Sequence, residues 1–525
     1  MRFLIQKNKM KEYTSYASRL SVKRYIFLFT LLCFVSFAQC RVFTGYAFND
    51  SNKNGKMDKN EKGIAGILVS NQEQIVVTDE HGQYRIEEGK GSYLYVIKPE
   101  DYAFSCYLKN TPAYYVRTDV SNNQYNFGLK KQNIEERFSA LFVGDPQMRA
   151  EKTIEAFKTD IVEEMLNYKV SFACFLGDIA DNDLSIYGKE KGIVECLPYP
   201  AFHVFGNHDV NEKAPSAFSA ADVFRTSFGP DYYSFNEGKV HFVVLNNILY
   251  QGWNSKENKR GRYFGGFSEV EFQWLKKDLE HIDKTKLVVI MSHIPFLEQY
   301  CYKKEIQRLF TLLGDRPHLL ALSGHLHYIE NYFFNNKTNW TSSYPFQNIT
   351  IGAACGGWWT GPLDERGIPV STAVDGSPNG YYKIDFDGNK YKYSFIPADH
   401  RLDFQMRITS SMEELYVGSL NESFLSINIF TATKDAVVKV LIDDLPAVLA
   451  ENYKGHDLFY KNTYDSRYNY DNWRPDMQET EHLWKCILPE VMQTGYHRVK
   501  VEATDVDGNQ YTGFKILEIK TKRQQ

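Results

Sequence analysis

Ala140-Leu141-Phe142-Val143-Gly144-Asp145-Pro146-Gln147 is a run of four apolar residues that ends on a Gly-Asp turn. The pattern recurs through the middle of the chain. Residues 172–176 run into Gly177-Asp178 and residues 202–205 into Gly206-Asn207-His208-Asp209. Residues 287–291 run into Ser292-His293, and residues 319–322 pass through Ser323 into Gly324-His325-Leu326-His327. Residues 241–245 form one more such run. Short stretches that are apolar throughout predict strands buried on both faces. Helical patterns stand between them. Residues 151–166 put Ile154, Phe157, Ile161 and Met165 on one stripe. Ser268-Glu269-Val270-Glu271 is a capping box that opens a helix with Trp274, Leu275 and Leu279 inward. This alternation predicts an α/β core with helices outside the sheets, spanning residues 138–400.

Working outward, the flanks change character. Residues 41–131 predict a small β-sandwich, with strands over 42–48, 67–70, 75–78 and 93–97 and turns such as His81-Gly82. Residues 132–137 are a polar linker. Residues 401–525 predict an immunoglobulin-like β-sandwich, with strands over 424–430, 437–442, 496–503 and 514–519 and a hairpin turn at Asp505-Val506-Asp507-Gly508. A chain of 525 residues is too long for one core, so several domains are expected.

Residues 1–38 read as an export signal. Lys7, Lys9, Lys11, Arg19, Lys23 and Arg24 form a basic region, an apolar run covers 25–38, and Ser36-Phe37-Ala38 offers small residues for cleavage. The run falls short of the ~20 residues of a spanning helix. The expectation is therefore a periplasmic or cell-surface protein with no transmembrane helix after cleavage. Cys40 is an alternative lipid-anchor site, although Gln39 is too large for a good lipobox. A net charge of -4 gives nucleic-acid binding no support. The eight cysteines, one inside the signal, show no CxxC pair and so no Cys-based zinc site.

The five polar motifs follow strand ends, where ligands collect in α/β sheets. Asp, Asn and His supply the carboxylate oxygen, amide oxygen and imidazole nitrogen that divalent ions take. One carboxylate can bridge two ions about 3.5–4 Å apart, as two-metal hydrolases require. Each motif alone is a common turn; five in succession at strand ends are not.

Together the five motifs resemble the calcineurin-like metallophosphoesterase superfamily. The resemblance covers about half of the chain. It implies a central four-layer α/β/β/α sandwich, here flanked by two β-sandwich modules as in exported bacterial members. It implies one metal held by Asp145, Gln147, Asp178 and His327. A second would be held by Asp178, Asn207, His293 and His325, with Asp178 bridging. His208 would be the general acid or a phosphate-contacting His, oriented by Asp209. Gln147 stands where many members carry His, and its amide oxygen favours harder ions, so Mn is expected ahead of Fe or Zn. The Tyr ligand of purple acid phosphatases is missing, because Ile179-Ala180-Asp181 follows Asp178.

Substrate contacts are expected from Arg149, from Trp358 or Trp359 in Cys355-Gly356-Gly357-Trp358-Trp359, with domain-interface packing the equal alternative for the two indoles, and from Asn379 in Asp375-Gly376-Ser377-Pro378-Asn379-Gly380. Arg260 and Arg262, like Arg149, could reach substrate phosphate, with surface solvation expected for at least two of the three. In the first module, Asp50, Asn52, Asn54, Lys56 (through its carbonyl), Asp58 and Glu61 fit the twelve-residue EF-hand loop, with Gly55 at the sixth position. A strand leads into it where an EF-hand has a helix, which resembles calcium loops of bacterial adhesin modules. The expected function is hydrolysis of a small phosphorylated substrate or an envelope phosphoester. The alternative is an adhesin-like binding protein with a catalytically minor core; the intact ligand set argues against it.

Overall fold

The buried apolar runs pair with one another in two central sheets. The computed structural model describes residues 41–104, 107–108, 111–464, 475–506 and 508–521; the signal expected over 1–38 and Cys40 lie outside them. The first sheet has the order Ala201–His203, Phe172–Phe175, Arg137–Val143, Gly380–Asp387, Lys390–Pro397. Its first three strands are parallel and the last two antiparallel. The second has the order Tyr233–Glu237, Val240–Val244, Leu287–Met291, Leu319–Ser323, Phe346–Thr350, Glu330–Phe333, parallel in the middle with antiparallel edges. Every residue of Phe172–Phe175, Val240–Val244, Leu287–Met291 and Leu319–Ser323 is buried. The sheets meet through rings. Phe172 packs edge-on to Phe235 and Phe242, at 5.2 and 5.0 Å, and Phe202 stacks on Phe235 at 4.3 Å. Such pairs contribute about 1 kcal/mol each beyond their burial.

The helix expected over 151–166 is present in three pieces: Glu151–Phe157, a π turn over Lys158–Val162, and Glu163–Met165. Its stripe of Ile154, Phe157, Ile161 and Met165 is buried. The π turn brings Asp160 inward, where it accepts from Asn379 Nδ2 and Arg366. The helix Glu269–Glu280 buries Trp274, Leu275 and Leu279, and Ser268 caps it through the Glu271 N–H. The capping box is only half made, because the Glu271 carboxylate accepts from Asn246 N instead of reaching back to Ser268.

The first flank holds two four-stranded sheets, Gln83–Glu87, Val42–Asn49, Phe127–Lys131, Tyr102–Phe104 and Ile75–Val77, Leu68–Ser70, Tyr93–Ile97, Tyr115–Arg117. The last holds a four- and a five-stranded sheet around a separate core that includes Leu425, Ile427, Trp484, Val499 and Val501. Into it is inserted a short helix, Leu458–Thr463, with Asp457 as its cap. The described cysteines are free. No helix among the described residues is long and apolar enough to cross a membrane.

Candidate metal centre

Both sheets deliver their polar turns to one place. The first sheet supplies Asp145, Gln147, Asp178 and Asn207; the second supplies His293, His325 and His327. Asp178 lies at the middle. Its Oδ2 is 3.2 Å from His293 Nε2, accepts from Gln147 Nε2 at 3.2 Å, and lies 4.0 Å from His208 Nε2. Asp145 Oδ1 lies 3.6 Å from His327 Nε2 and 3.9 Å from His293 Nε2, and the carboxylate accepts from His325 N. Asn207 Oδ1 is 3.0 Å from His293 Nε2. One ligand atom each of Asp178, His293 and His325 lies within 4.8 Å of the others.

The backbone is bent to bring them there. Asp145, Gln147, Asp178, His325 and His327 all have positive φ, between 38° and 75°. Non-glycine residues hold such angles only where the surroundings impose them, at about 1–3 kcal/mol each. Two glycines permit the crowding. A Cβ on Gly206 would collide with Asp178 Oδ1, and one on Gly324 with Asp145 Oδ2. These glycines leave room for the neighbouring carboxylates.

The donor set fits divalent metal ions. His293 Nδ1 faces the Leu176 carbonyl at 2.8 Å and His327 Nδ1 faces the Gly356 carbonyl at 3.1 Å. Each Nδ1 therefore donates to a backbone carbonyl, and each Nε2 is the nitrogen turned toward the carboxylates. Burial pushes Asp145 up to about 7, against the pull of His293. Burial likewise pushes His325 and His327 down to about 3 and 4. Burial opposes the charge on His293, yet Asp178 beside it lifts it to about 9. Asp178 is itself held below the usual carboxylate range, because His293 and His208 outweigh its burial. Gln147 presents its amide nitrogen to Asp178; the two ends of an amide exchange by a half-turn, so its oxygen is equally available to an ion.

His208 stands at the rim, its side chain 27% exposed. Asp209 does not orient it. Asp209 is buried and accepts from the N–H groups of Ile179, Ala180 and Gly206 and from Tyr187 Oη, so it ties two ligand loops together. Burial, and then the charge of Asp178, raise it to about 6. The partner of His208 is Asn182, whose Oδ1 lies 3.0 Å from Nδ1, with Asp181 at 3.4 Å. Arg260 donates to the same Asn182 Oδ1 at 3.0 Å and to the Asn207 carbonyl at 2.6 Å. Asn182 is a functional candidate that the motifs missed, and Arg260 braces it. Asn182 follows four residues after Asp178 on the same turn, and that proximity was its only signal.

The substrate contacts divide. Arg149 lies at the rim, paired with Asp181 at 3.5 Å. Arg262 is exposed. Trp358 stacks on the His327 ring at 3.7 Å and 12°. Trp359 is buried and donates to the Pro146 carbonyl, and Asn379 is buried and donates to Asp160 and the Ala354 carbonyl. Those two are packing and anchoring groups, which corrects their assignment to substrate. In the first flank, Asp50 is buried and accepts from Asn54 N and Gly55 N, at 3.1 and 2.8 Å. Asp58 Oδ2 accepts from the Asn52 and Asn54 amides, Glu61 from Ser51 N and Asp58 N, and Lys56 N donates to Asn54.

Comparison with known proteins gives three consecutive family matches. Residues 51–132 match the N-terminal region of calcineurin-like phosphoesterase, 138–328 calcineurin-like phosphoesterase itself, and 349–511 its C-terminal region. A probable glycerophosphodiester phosphodiesterase GpdQ of Arcobacter nitrofigilis is 24% identical over 226 residues, 40% of this chain and 79% of that one. Purple acid phosphatase 15 of Arabidopsis thaliana is 28% identical over 150 residues, 25% of each chain. Among solved structures, a purple acid phosphatase from yellow lupin (Lupinus luteus) seeds aligns with a TM-score of 0.36 and 12% identity, covering 68% of this chain and 67% of that one.

Proposed function

The chain belongs to the calcineurin-like phosphoesterase family and is a phosphoric ester hydrolase, and we propose that it cleaves small phosphate mono- or diesters outside the cytoplasm at a two-metal centre bridged by Asp178. Asp145, Gln147, Asp178 and His327 hold one ion; Asp178, Asn207, His293 and His325 hold the other. Mn is favoured by the Gln147 amide, ahead of Fe and Zn. When bound, the ions neutralise phosphate oxygens and acidify a water for attack. The observation that carries this reading is the facing of the His293 and His327 Nε2 atoms onto Asp178 and Asp145, with both Nδ1 atoms tied to backbone carbonyls.

His208 is the general acid. Asn182 Oδ1 accepts its Nδ1–H, so Nε2 is left on the Asp178 side to give its proton to the leaving oxygen. Asp181 Oδ1 lies 3.4 Å from the same Nδ1. Arg260 braces Asn182 and the Asn207 carbonyl, and Arg149 is the candidate for substrate phosphate. The accompanying architecture is a four-layer sandwich flanked by two β-sandwich modules, supported by the ring contacts between the central sheets. The basic and apolar residues of 1–38 support export, and the loop from Asp50 to Glu61 binds calcium and stiffens its module.

The test is hydrolysis of p-nitrophenyl phosphate and bis-p-nitrophenyl phosphate by metal-stripped protein given Mn, Zn, Fe or Mg. Metal-restored hydrolysis is expected, and the preferred ester sorts monoesterase from diesterase. A metal-loaded chain that cleaves neither of these, nor glycerophosphodiesters, would overturn the reading.

A further inference from the structure

The C-terminal module grips one loop next to the metal centre. Gln478 N donates to the Val374 carbonyl at 3.1 Å. Asn428 Nδ2 donates to the Asp375 carbonyl at 2.8 Å, and the Arg407 guanidinium donates to the Gly376 carbonyl. The His482 ring spans Asp375 Oδ2, 3.1 Å from its Nε2, and Asn428 Oδ1, 2.7 Å from its Nδ1. Asp375, Asn428 and His482 are all buried.

Asp375 passes this grip onward. The Oδ2 that meets His482 also accepts from Ile329 N, at 3.0 Å. Ile329 lies two residues beyond His327, on a turn where His325 and His327 both have positive φ. Such a turn keeps its shape only through contacts from outside. The other support of His327 leads to the same module. Its Nδ1 faces the Gly356 carbonyl and its ring stacks on Trp358, which packs against Val374, Tyr460 and Tyr464. Tyr464 Oη donates to the Thr360 carbonyl at 3.0 Å.

We propose that His482 is a positioning residue for His327: acting through Asp375 and Ile329, the C-terminal module sets the affinity of the metal held by Asp145, Gln147, Asp178 and His327. This rests on the metal-centre reading above. Without His482, Asp375 Oδ2 keeps one backbone donor in a buried site. The carboxylate then shifts to regain a partner and carries the Ile329 N–H with it.

The experiment measures Mn and Zn affinity by competition with a chelating dye, on full-length wild type, His482→Ala, His482→Gln and Val438→Ala. Val438 lies in the module's own core and controls for loss of stability alone. His482→Ala is expected to bind one metal equivalent about tenfold more weakly, in line with the effect of removing a residue that orients a ligand. It should lower kcat more than it changes KM. His482→Gln keeps a donor in place of Nε2 and should recover most of the affinity, and Val438→Ala should leave it unchanged. Unchanged affinity in His482→Ala, or an equal loss in Val438→Ala, would overturn the proposal while leaving the metal centre intact. A wild type that takes up no divalent metal would overturn both. If His482→Ala fails to fold, Asn428→Ala, which frees the other side of the His482 ring, takes its place: weaker binding of one metal equivalent there supports the role and unchanged affinity contradicts it.

Discussion

The two flanking modules are both built of paired sheets, yet they hold the catalytic core differently. The N-terminal module covers an edge. Gln72 donates to Asp231 and the Tyr232 carbonyl, Lys98 pairs with Glu237 and donates to the Asn236 carbonyl, and Trp274 donates to Ser70. These contacts fall on and beside the edge strand Tyr233–Glu237 and on the helix Glu269–Glu280. An uncovered edge strand invites pairing with other chains, so covering it protects the sheet. The C-terminal module holds the loop and the turn that support His327. One attachment serves stability and the other serves the site.

Substitutions can break or sharpen that contrast. The largest effect is expected from the ligand that needs neither module. Asp178→Asn removes the charge shared by both metals and should lower turnover by on the order of a thousandfold or more, measured on p-nitrophenyl phosphate. Full activity there would end the bridging assignment. His208→Ala should keep its metals and lose about a hundredfold or more in rate, with the larger loss on esters of poor leaving groups. Asn182→Ala should reproduce part of that pattern. Equal loss on all leaving groups would argue against an acid role for His208. Gln72→Ala addresses the N-terminal attachment. It should cost roughly 1 kcal/mol of stability, read by denaturant unfolding, and leave kcat and metal affinity unchanged. A fall in metal affinity like that expected of His482→Ala would erase the difference between the modules. The smallest effect is that of calcium. Adding it should raise the melting temperature of the wild type by a few degrees and that of Asp58→Ala by less.

The strands were legible because burial on both faces leaves no polar interruption, as in Leu287–Met291 and Leu319–Ser323. The hairpin Gly380–Asp387 and Lys390–Pro397 was missed; its second strand alternates exposed lysines with half-buried tyrosines and carries no such run. The short helix Leu458–Thr463 was missed as well. The π turn at Lys158–Val162 leaves the apolar stripe intact and so leaves no trace in its spacing. At the site, the metal-type donors could be read because each follows a strand. Their partners could not. His208 and Asp209 are neighbours in sequence, but one stands at the rim and the other in the interior. Trp358 and Trp359 part in the same way, one stacked on His327 and the other donating to Pro146. Contacts such as Arg260 to Asn182, or His482 to Asp375, join loops that sequence spacing does not relate.

Two ions on one ligand set, bridged by Asp178, set a stoichiometry that can be measured. Elemental analysis of purified wild type and Asp178→Asn, each reloaded with excess Mn and desalted, tests it most directly. About two metal equivalents per wild-type chain and less than one in Asp178→Asn are expected. A wild type that saturates at one equivalent, or an Asp178→Asn that still holds two, would contradict it.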